Sequence, residues 1–168
     1  MFEPSAIRGW WLFFLFLWLK KNDIDKQTRQ ALRFAQEEIN RTLRRLKEGL
    51  QQIGEDMCEQ AREQGDYNDR TGTTRSAMKY RVVEDGETVA DGGYVEIEGT
   101  EQKTEDPEEL AERALDAIEI PDKGISLLFA NGSEYADRLE DKGFNVTYLT
   151  EEWAKDEVER LLRDTFGD

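Results

Sequence analysis

The chain has 168 residues and a formal net charge of −15, and its length fits one domain with or without an appendage. It contains no histidine and one cysteine, Cys58, which excludes histidine-based triads, zinc sites built from cysteine and histidine, and intramolecular disulfides. Residues 66–168 carry 12 basic and 28 acidic side chains. Because such a surface repels phosphate, we expect no sequence-specific nucleic-acid binding.

The N-terminal segment, residues 1–22, contains an uninterrupted apolar run at residues 9–19. The run is shorter than the ~20 residues of a transmembrane helix, and no small-residue cleavage site follows it. Three interpretations stay open: a membrane-interface or partner-inserted anchor, a core or oligomer-contact element, and a translation-start extension. Membrane contact would use the aromatic side chains Trp10, Trp11, Phe13, Phe14, Phe16 and Trp18.

Residues 23–65 predict one long amphipathic helix, with Asp23 able to cap its start and Gly65 placed to end it. Apolar residues recur along one face at steps of three and four. This contact stripe includes Leu32, Ile39, Leu43, Leu46, Leu50 and Ile53. We expect part of the stripe to cover the rest of the domain and part to contact another chain. Gly49 and Gly54 indicate bends or close contacts inside the helix.

Residues 66–168 predict an acidic α+β body. Alternating or continuous apolar patterns indicate strands at 78–84, 88–90, 94–98, 125–130 and 145–149. Capping and turn signals indicate shorter helices at 106–118, 134–142 and 150–165, and a single helical turn that begins at Thr73 or Thr74. The continuous apolar run at 125–130 is typical of a central strand. The predicted fold is therefore α+β, with a long N-terminal amphipathic helix, an antiparallel or mixed sheet of about five strands, and two to three shorter helices.

Two short blocks of sequence carry a resemblance to a known family. The first block is Asp69-Arg70-Thr71-Gly72-Thr73-Thr74-Arg75-Ser76, followed by the strand 80–84 and the turn Asp85-Gly86. The second block is Gly124-Ile125-Ser126-Leu127-Leu128-Phe129-Ala130, then Tyr135-Ala136, Leu139-Glu140, Lys142-Gly143-Phe144 and Val146. Preceded by a long helix, they resemble the minor tail component, or tail-completion and neck, family of tailed bacteriophages, with Bacteroides-type phage and prophage members looking closest.

The resemblance implies a non-enzymatic virion protein, assembled in the bacterial cytoplasm, with no catalytic residue, cofactor or metal ion. Such proteins form rings, often hexameric, between the head connector and the tail tube. The implied partners are therefore copies of the chain itself, the head–tail connector and the tail-tube proteins. The resemblance places the motif turn and its assembly contacts at Arg70, Thr71, Gly72, Arg75, Tyr135, Glu140 and Gly143.

Other functions stay open from the residues alone. The acidic composition also fits a DNA mimic that inhibits a basic host protein. Residues 9–19 also fit a peripheral membrane protein. A metal-dependent enzyme would need clustered carboxylates, for which the candidates are Asp91, Glu96 and Glu98 with Lys103. Glu96 and Glu98 share one face of a predicted strand. The spacing of these residues is not characteristic of a metal site, so an enzyme is the function that the sequence favours least.

Overall fold

The computed structural model describes the backbone of residues 5–167 and the side chains of residues 25–167. The helices and strands are α1 (Ser5–Gln64), α2 (Thr73–Ser76), β1 (Met78–Glu84), β2 (Glu87–Gly92), α3 (Pro107–Asp116), β3 (Ile125–Asn131), α4 (Ala136–Glu140) and α5 (Tyr148–Phe166). This confirms an α+β fold with a long N-terminal helix. The chain divides into two units, Met1–Leu43 and Arg44–Asp168.

The sheet has the strand order β2-β1-β3, and both pairings are antiparallel. Strands β1 and β2 form a hairpin whose turn residues, Asp85 and Gly86, have φ values of 50° and 83°. Two consecutive positive φ values are the geometry of a type I′ turn, which matches the twist of the flanking strands. The Asp-Gly pair therefore fixes the register beside the turn, with Glu84 opposite Glu87, and a bulge between Val82 and Val83 then sets Val82 opposite Ala90.

The core of the second unit lies on the sheet face that carries Tyr80 and Val82, where α1 and α5 supply the opposing side chains. Leu46 and Leu50 of α1 are 7% and 5% exposed, and Tyr80 and Val82 are fully buried. Val158 of α5 packs against this core. The C-terminal part of the predicted stripe is thus core, as expected of a helix that covers a sheet.

Helix α3 packs on the opposite face of the sheet, where β1 presents alternate residues. Lys79 is 5% exposed and forms ion pairs with Glu112, with Asp91 at 3.8 Å and with Glu108 at 3.7 Å. Burial opposes the charge of Lys79, but its hydrogen bond to Glu112 and the three carboxylates outweigh burial and raise its pKa. The pairs with Glu108 and Glu112 hold α3 against the sheet.

Helix α1 begins at Ser5 and not near Asp23, so the apolar run at residues 9–19 lies within its helical backbone. The side chains of this run, including the aromatic ones assigned to membrane contact, lie outside the described residues. Within the described part of the chain, no helix combines the length and apolar character that a membrane crossing demands. The end of α1 at Gln64 agrees with the prediction.

The described residues form three strands, whereas the sequence predicts about five. Residues 94–98 do not pair with a strand, because Gly93 turns the chain with φ 87° and the Ile97 N–H donates to Ser76 Oγ at 2.8 Å. Residues 145–149 are not a strand either. Thr147 N–H donates to Glu140 Oε1 at 2.8 Å, and α5 starts at the next residue. In both segments, side-chain hydrogen bonds replace strand pairing.

Strand β3 lies at an edge of the sheet, and β1 is central. The prediction of a central strand at 125–130 is therefore wrong about position, although a strand does form there. The physical reason is that neither segment expected to extend the sheet becomes a strand. An apolar strand is left with a single neighbour.

Candidate functional site

Around helix α2, the first sequence block meets the segment that joins the two parts of the second block, where residues 69–76 contact residues 131–135. Thr74 Oγ1 and Ser133 Oγ lie 3.0 Å apart and both residues are buried. The side-chain amide of Asn131 donates to the carbonyl of Thr74 at 2.9 Å. We call these two segments the motif cluster. The fold thus brings together two segments that are more than 50 residues apart.

Gly72 starts α2 in a conformation that only glycine adopts readily, with φ 74°. A Cβ at this position would lie 2.1 Å from the carbonyl oxygen of Ile97. Ser76 Oγ donates to the Gly72 carbonyl at 2.7 Å and accepts the Ile97 N–H. Gly72 and Ser76 therefore fix the turn against the segment that follows β2.

Arg75 satisfies backbone carbonyls at and beyond the C-terminal end of α1. Its guanidinium donates to the carbonyls of Arg62 at 2.7 Å, Gly65 at 2.9 Å and Tyr67 at 3.2 Å. It also stacks over the Tyr67 ring, 5.1 Å from the centroid. Because the last carbonyls of a helix lack intrahelical partners, Arg75 acts as a side-chain cap. Gly65 does not adopt the positive φ of a glycine cap.

Arg62 is a member of this site that the sequence analysis missed. Its guanidinium donates to the carbonyls of Arg75 at 3.0 Å, Met78 at 3.4 Å and Gly93. Burial lowers the pKa of Arg62, although Cys58 and nearby carboxylates act in the opposite direction. The signal in the sequence was an arginine on the apolar side of the helix, four residues after Cys58.

Three of the motif residues line a surface cleft of about 350 Å³ beside the motif cluster. These residues are Arg70, Thr71 and Tyr135. Arg70 is exposed and pairs with Glu101 at 3.1 Å. Tyr135 is 61% exposed, and the Arg138 guanidinium lies 5.7 Å from its ring centroid. An exposed tyrosine and arginine beside a polar cleft can contact another protein.

Glu140 and Gly143 shape the connection from α4 to α5 and do not join the cleft. Glu140 Oε1 accepts the Thr147 N–H at 2.8 Å and the Thr147 hydroxyl at 2.6 Å. Gly143 has φ 85° and follows the end of α4. Both residues therefore fix the conformation of the backbone between α4 and α5.

The predicted contact stripe divides by exposure. Leu46, Leu50 and Ile53 are buried, and Leu43 is half-buried. In the first unit, Leu32 is 64% exposed, Ile39 is 52% exposed and the neighbouring Phe34 is 72% exposed. These three large apolar side chains are therefore exposed to solvent.

Two of the residues considered for metal chemistry, Glu96 and Lys103, form a surface ion pair. Lys103 Nζ lies 3.2 Å from Glu96 Oε1, and Glu98 lies outside any strand. Among the residues that the structure describes, no three histidine, cysteine, aspartate or glutamate side chains converge on a metal position. No family model, curated protein or solved structure matches the chain.

Proposed function

We propose that this protein is a structural virion subunit of a tailed phage or prophage that forms a ring at the head–tail junction by associating with copies of itself. The proposal starts from the resemblance of the two sequence blocks to tail-completion and neck proteins. The observation that carries it furthest is the exposure of Leu32, Phe34 and Ile39 on α1. Large apolar side chains on one exposed helix favour contact with another chain.

The exposed residues follow helical geometry. Leu32 and Ile39 are seven residues apart and therefore lie on one face of α1. Beside Ile39, Arg41 and Glu38 form an ion pair with each other at 2.6 Å. An assembly contact along this face would bury the apolar surface of Leu32 and Ile39.

The motif cluster supports the proposal in a second way. Arg75 and Gly72 make contacts within the chain, whereas Arg70 and Tyr135 lie on the surface. The family motif therefore has a buried part that shapes the turn and an exposed part that is free to meet a neighbour. The exposed part would contribute specificity to assembly.

Sedimentation velocity of the full chain tests self-association. The double variant Leu32→Ser/Ile39→Ser should lose the larger species, because it removes the apolar contact. The control Gln30→Ser/Glu37→Ser has the same seven-residue spacing on exposed positions of the same helix and should assemble like the wild type. If both variants assemble equally, the contact stripe does not drive self-association.

Mass spectrometry of purified particles from the source host tests the virion assignment directly. We expect the chain in particles, at a copy number that matches a ring. Its absence from particles, combined with capture of a basic host protein, would favour the DNA mimic. Its recovery with floated liposomes only when residues 1–22 are present would favour the membrane protein.

A further inference from the structure

Strand β3 is an edge strand without the features that usually protect an edge. Its sequence, Ile-Ser-Leu-Leu-Phe-Ala-Asn, contains no charge and no proline. Proteins blunt open edges with charges, prolines or bulges because an open edge pairs with other chains. The opposite edge, β2, has such protection: it carries Glu87 and Asp91, and a bulge interrupts its pairing with β1.

The hydrogen bonds at the ends of the β1–β3 pairing show which backbone groups of β3 face outward. The Asp85 N–H donates to the Gly124 carbonyl at 2.9 Å, and the Gly132 N–H donates to the Ala77 carbonyl at 2.8 Å. Bonded and non-bonded pairs alternate in an antiparallel ladder. The residues that turn N–H and C=O away from β1 are therefore Ile125, Leu127, Phe129 and Asn131. No described residue bonds to these outward groups.

An apolar groove of about 600 Å³ lies along this edge, between β3 and α5. Its floor includes Leu127, Leu128 and Phe129 of β3, which are all only half-buried. Its α5 wall carries Glu151, Lys155 and Glu159. The edge therefore offers both unpaired backbone groups and an apolar surface beside them, the two requirements for adding a strand.

We propose that β3 pairs with β3 of a second copy of this chain, antiparallel and about a twofold axis at Leu128. In this register Leu127 lies opposite Phe129 of the second copy, and the outward backbone groups of both strands meet. Ser126 lies opposite Ala130, and Leu128 lies opposite itself. The remaining pair sets Ile125 opposite the polar but uncharged Asn131, so no like charges face each other.

Because Leu127 meets Phe129 on both sides of the axis, β3 is complementary to itself, which favours a second copy of the chain over a foreign peptide. Nothing on the strand selects a charged partner, even though the chain as a whole has a net charge of −15. The pairing would join two three-stranded sheets into one of six strands.

This contact is separate from the proposed ring. A twofold contact closes on itself and cannot generate a ring of six alone, so it would join two subunits or two rings. Its test therefore does not depend on particles. Failure to find the chain in virions would leave β3 pairing intact, and failure of β3 pairing would leave the ring proposal intact.

Disulfide trapping of the full chain tests the pairing and its register. Residues opposite each other in a non-bonded pair have Cα atoms about 4.5 Å apart, which a disulfide can bridge. Leu128→Cys should therefore form a cross-linked dimer under mild oxidation. Ser126→Cys alone should not, but should cross-link to Ala130→Cys when the two are mixed. The native Cys58 is fully buried and does not compete.

A charge-reversal pair guards against loss of folding. Leu128→Lys and Leu128→Glu should each weaken the dimer at least tenfold in sedimentation equilibrium, because like charges then meet at the axis. An equimolar mixture should restore the dimer. Val89→Lys, on the other edge, should dimerise like the wild type. A monomeric wild type, trapping of Ser126→Cys as fast as Leu128→Cys, or no rescue in the mixture would overturn the proposal.

Discussion

Two arginines of one motif have different roles, which burial and partners define. Arg75 donates to three backbone carbonyls and stacks on Tyr67. Arg70 is exposed and pairs with Glu101 across the surface. A charge that caps backbone carbonyls contributes more stability than an exposed ion pair, which contributes about 0–1 kcal/mol. The motif therefore combines a structural arginine with one available for contact.

Conservative substitution separates the two roles. Arg75→Lys should lower the free energy of unfolding by about 1.5–3 kcal/mol, because an ammonium group cannot reproduce a planar fork that reaches several carbonyls. Arg70→Lys should change it by no more than about 0.5 kcal/mol. Urea titration measures both. Equal losses would contradict the capping role of Arg75.

Cys58 is a structural thiol, fully buried beside Arg62 and the core. Burial raises its pKa to about 12, although Arg62 acts in the opposite direction. Burial likewise raises the pKa of Tyr67 to about 12, opposed by Arg75. Both groups stay protonated in the folded chain at a pH where the unfolded chain has lost the proton. Stability should therefore fall as pH rises from 9 to 12.

The variant Cys58→Ala isolates the thiol's share of this alkaline loss. Between pH 9 and 12 the wild type should lose stability more steeply than the variant, by up to about 1.4 kcal/mol per pH unit. Thermal unfolding across this range measures the difference, and Tyr67 leaves part of the slope in both proteins. Rapid reaction of Cys58 with a thiol reagent at pH 8 without denaturant would contradict its burial.

At the scale of elements, α1 approaches its neighbours closely at two glycines. A Cβ on Gly54 would lie 2.3 Å from the Tyr80 ring, and a Cβ on Gly49 would lie 2.5 Å from a Leu161 methyl carbon. Tyr80 is fully buried, whereas Leu161 is half-buried and its contacting methyl group lies at the end of a flexible side chain. The two glycines therefore differ in how well the surroundings can adapt.

Alanine substitution tests this difference. Gly54→Ala should lower the free energy of unfolding by about 1–3 kcal/mol through overpacking, despite the better helix propensity of alanine. Gly49→Ala should stay within about 1 kcal/mol of the wild type, because Leu161 can move and alanine favours the helix. Denaturant midpoints of the two variants decide the matter, and the reverse order would show that Tyr80 yields more easily than Leu161.

The elements with strong local signals were predictable from the sequence. The strand 78–84, the Asp85-Gly86 turn and the cap of α3 all appear where the residues indicate, and Asp106 Oδ1 accepts the Glu108 N–H at 2.9 Å. Each of these depends on a few consecutive residues, so no tertiary information is needed. For Gly49 and Gly54 the sequence indicated bends or close contacts, and the structure shows close contacts whose partners, Leu161 and Tyr80, the local sequence does not identify.

The parts that failed depend on partners distant in sequence. Residues 94–98 alternate like a strand, but Ser76 binds the Ile97 N–H and removes it from any ladder. The edge position of β3 follows from which other segments become strands, which its own apolar run does not encode. In the site, the turn at Gly72 could be predicted from the sequence. The bonds between Arg62 and Arg75 could not, because these residues are 13 apart and only folding brings them together.

At the scale of the whole molecule, the charge of −15 opposes any assembly of identical copies. Some of the acidic residues form local ion pairs, such as Glu112 with Lys79 and Asp116 with Arg81. The excess remains on the surface. Self-association must therefore overcome repulsion between like-charged bodies, and apolar contacts are the available source of affinity.

Ionic strength tests this balance. Raising salt shortens the Debye length from about 30 Å at 0.01 M to about 8 Å at 0.15 M, so repulsion between copies is screened. The dissociation constant for self-association should fall as salt rises across this range, measured by analytical ultracentrifugation. A weaker association at higher salt would show that ion pairs between subunits outweigh net repulsion.

The reciprocal bonds of Arg62 and Arg75 have a consequence for local opening. Arg62 donates to the Arg75 carbonyl, and Arg75 donates to the Arg62 carbonyl. Neither the last turn of α1 nor helix α2 can fray without breaking both bonds, so the two should open as one cooperative unit. Their amide protons would then exchange with solvent at a common free energy, and a loosened α2 would signal a frayed α1 at the same moment.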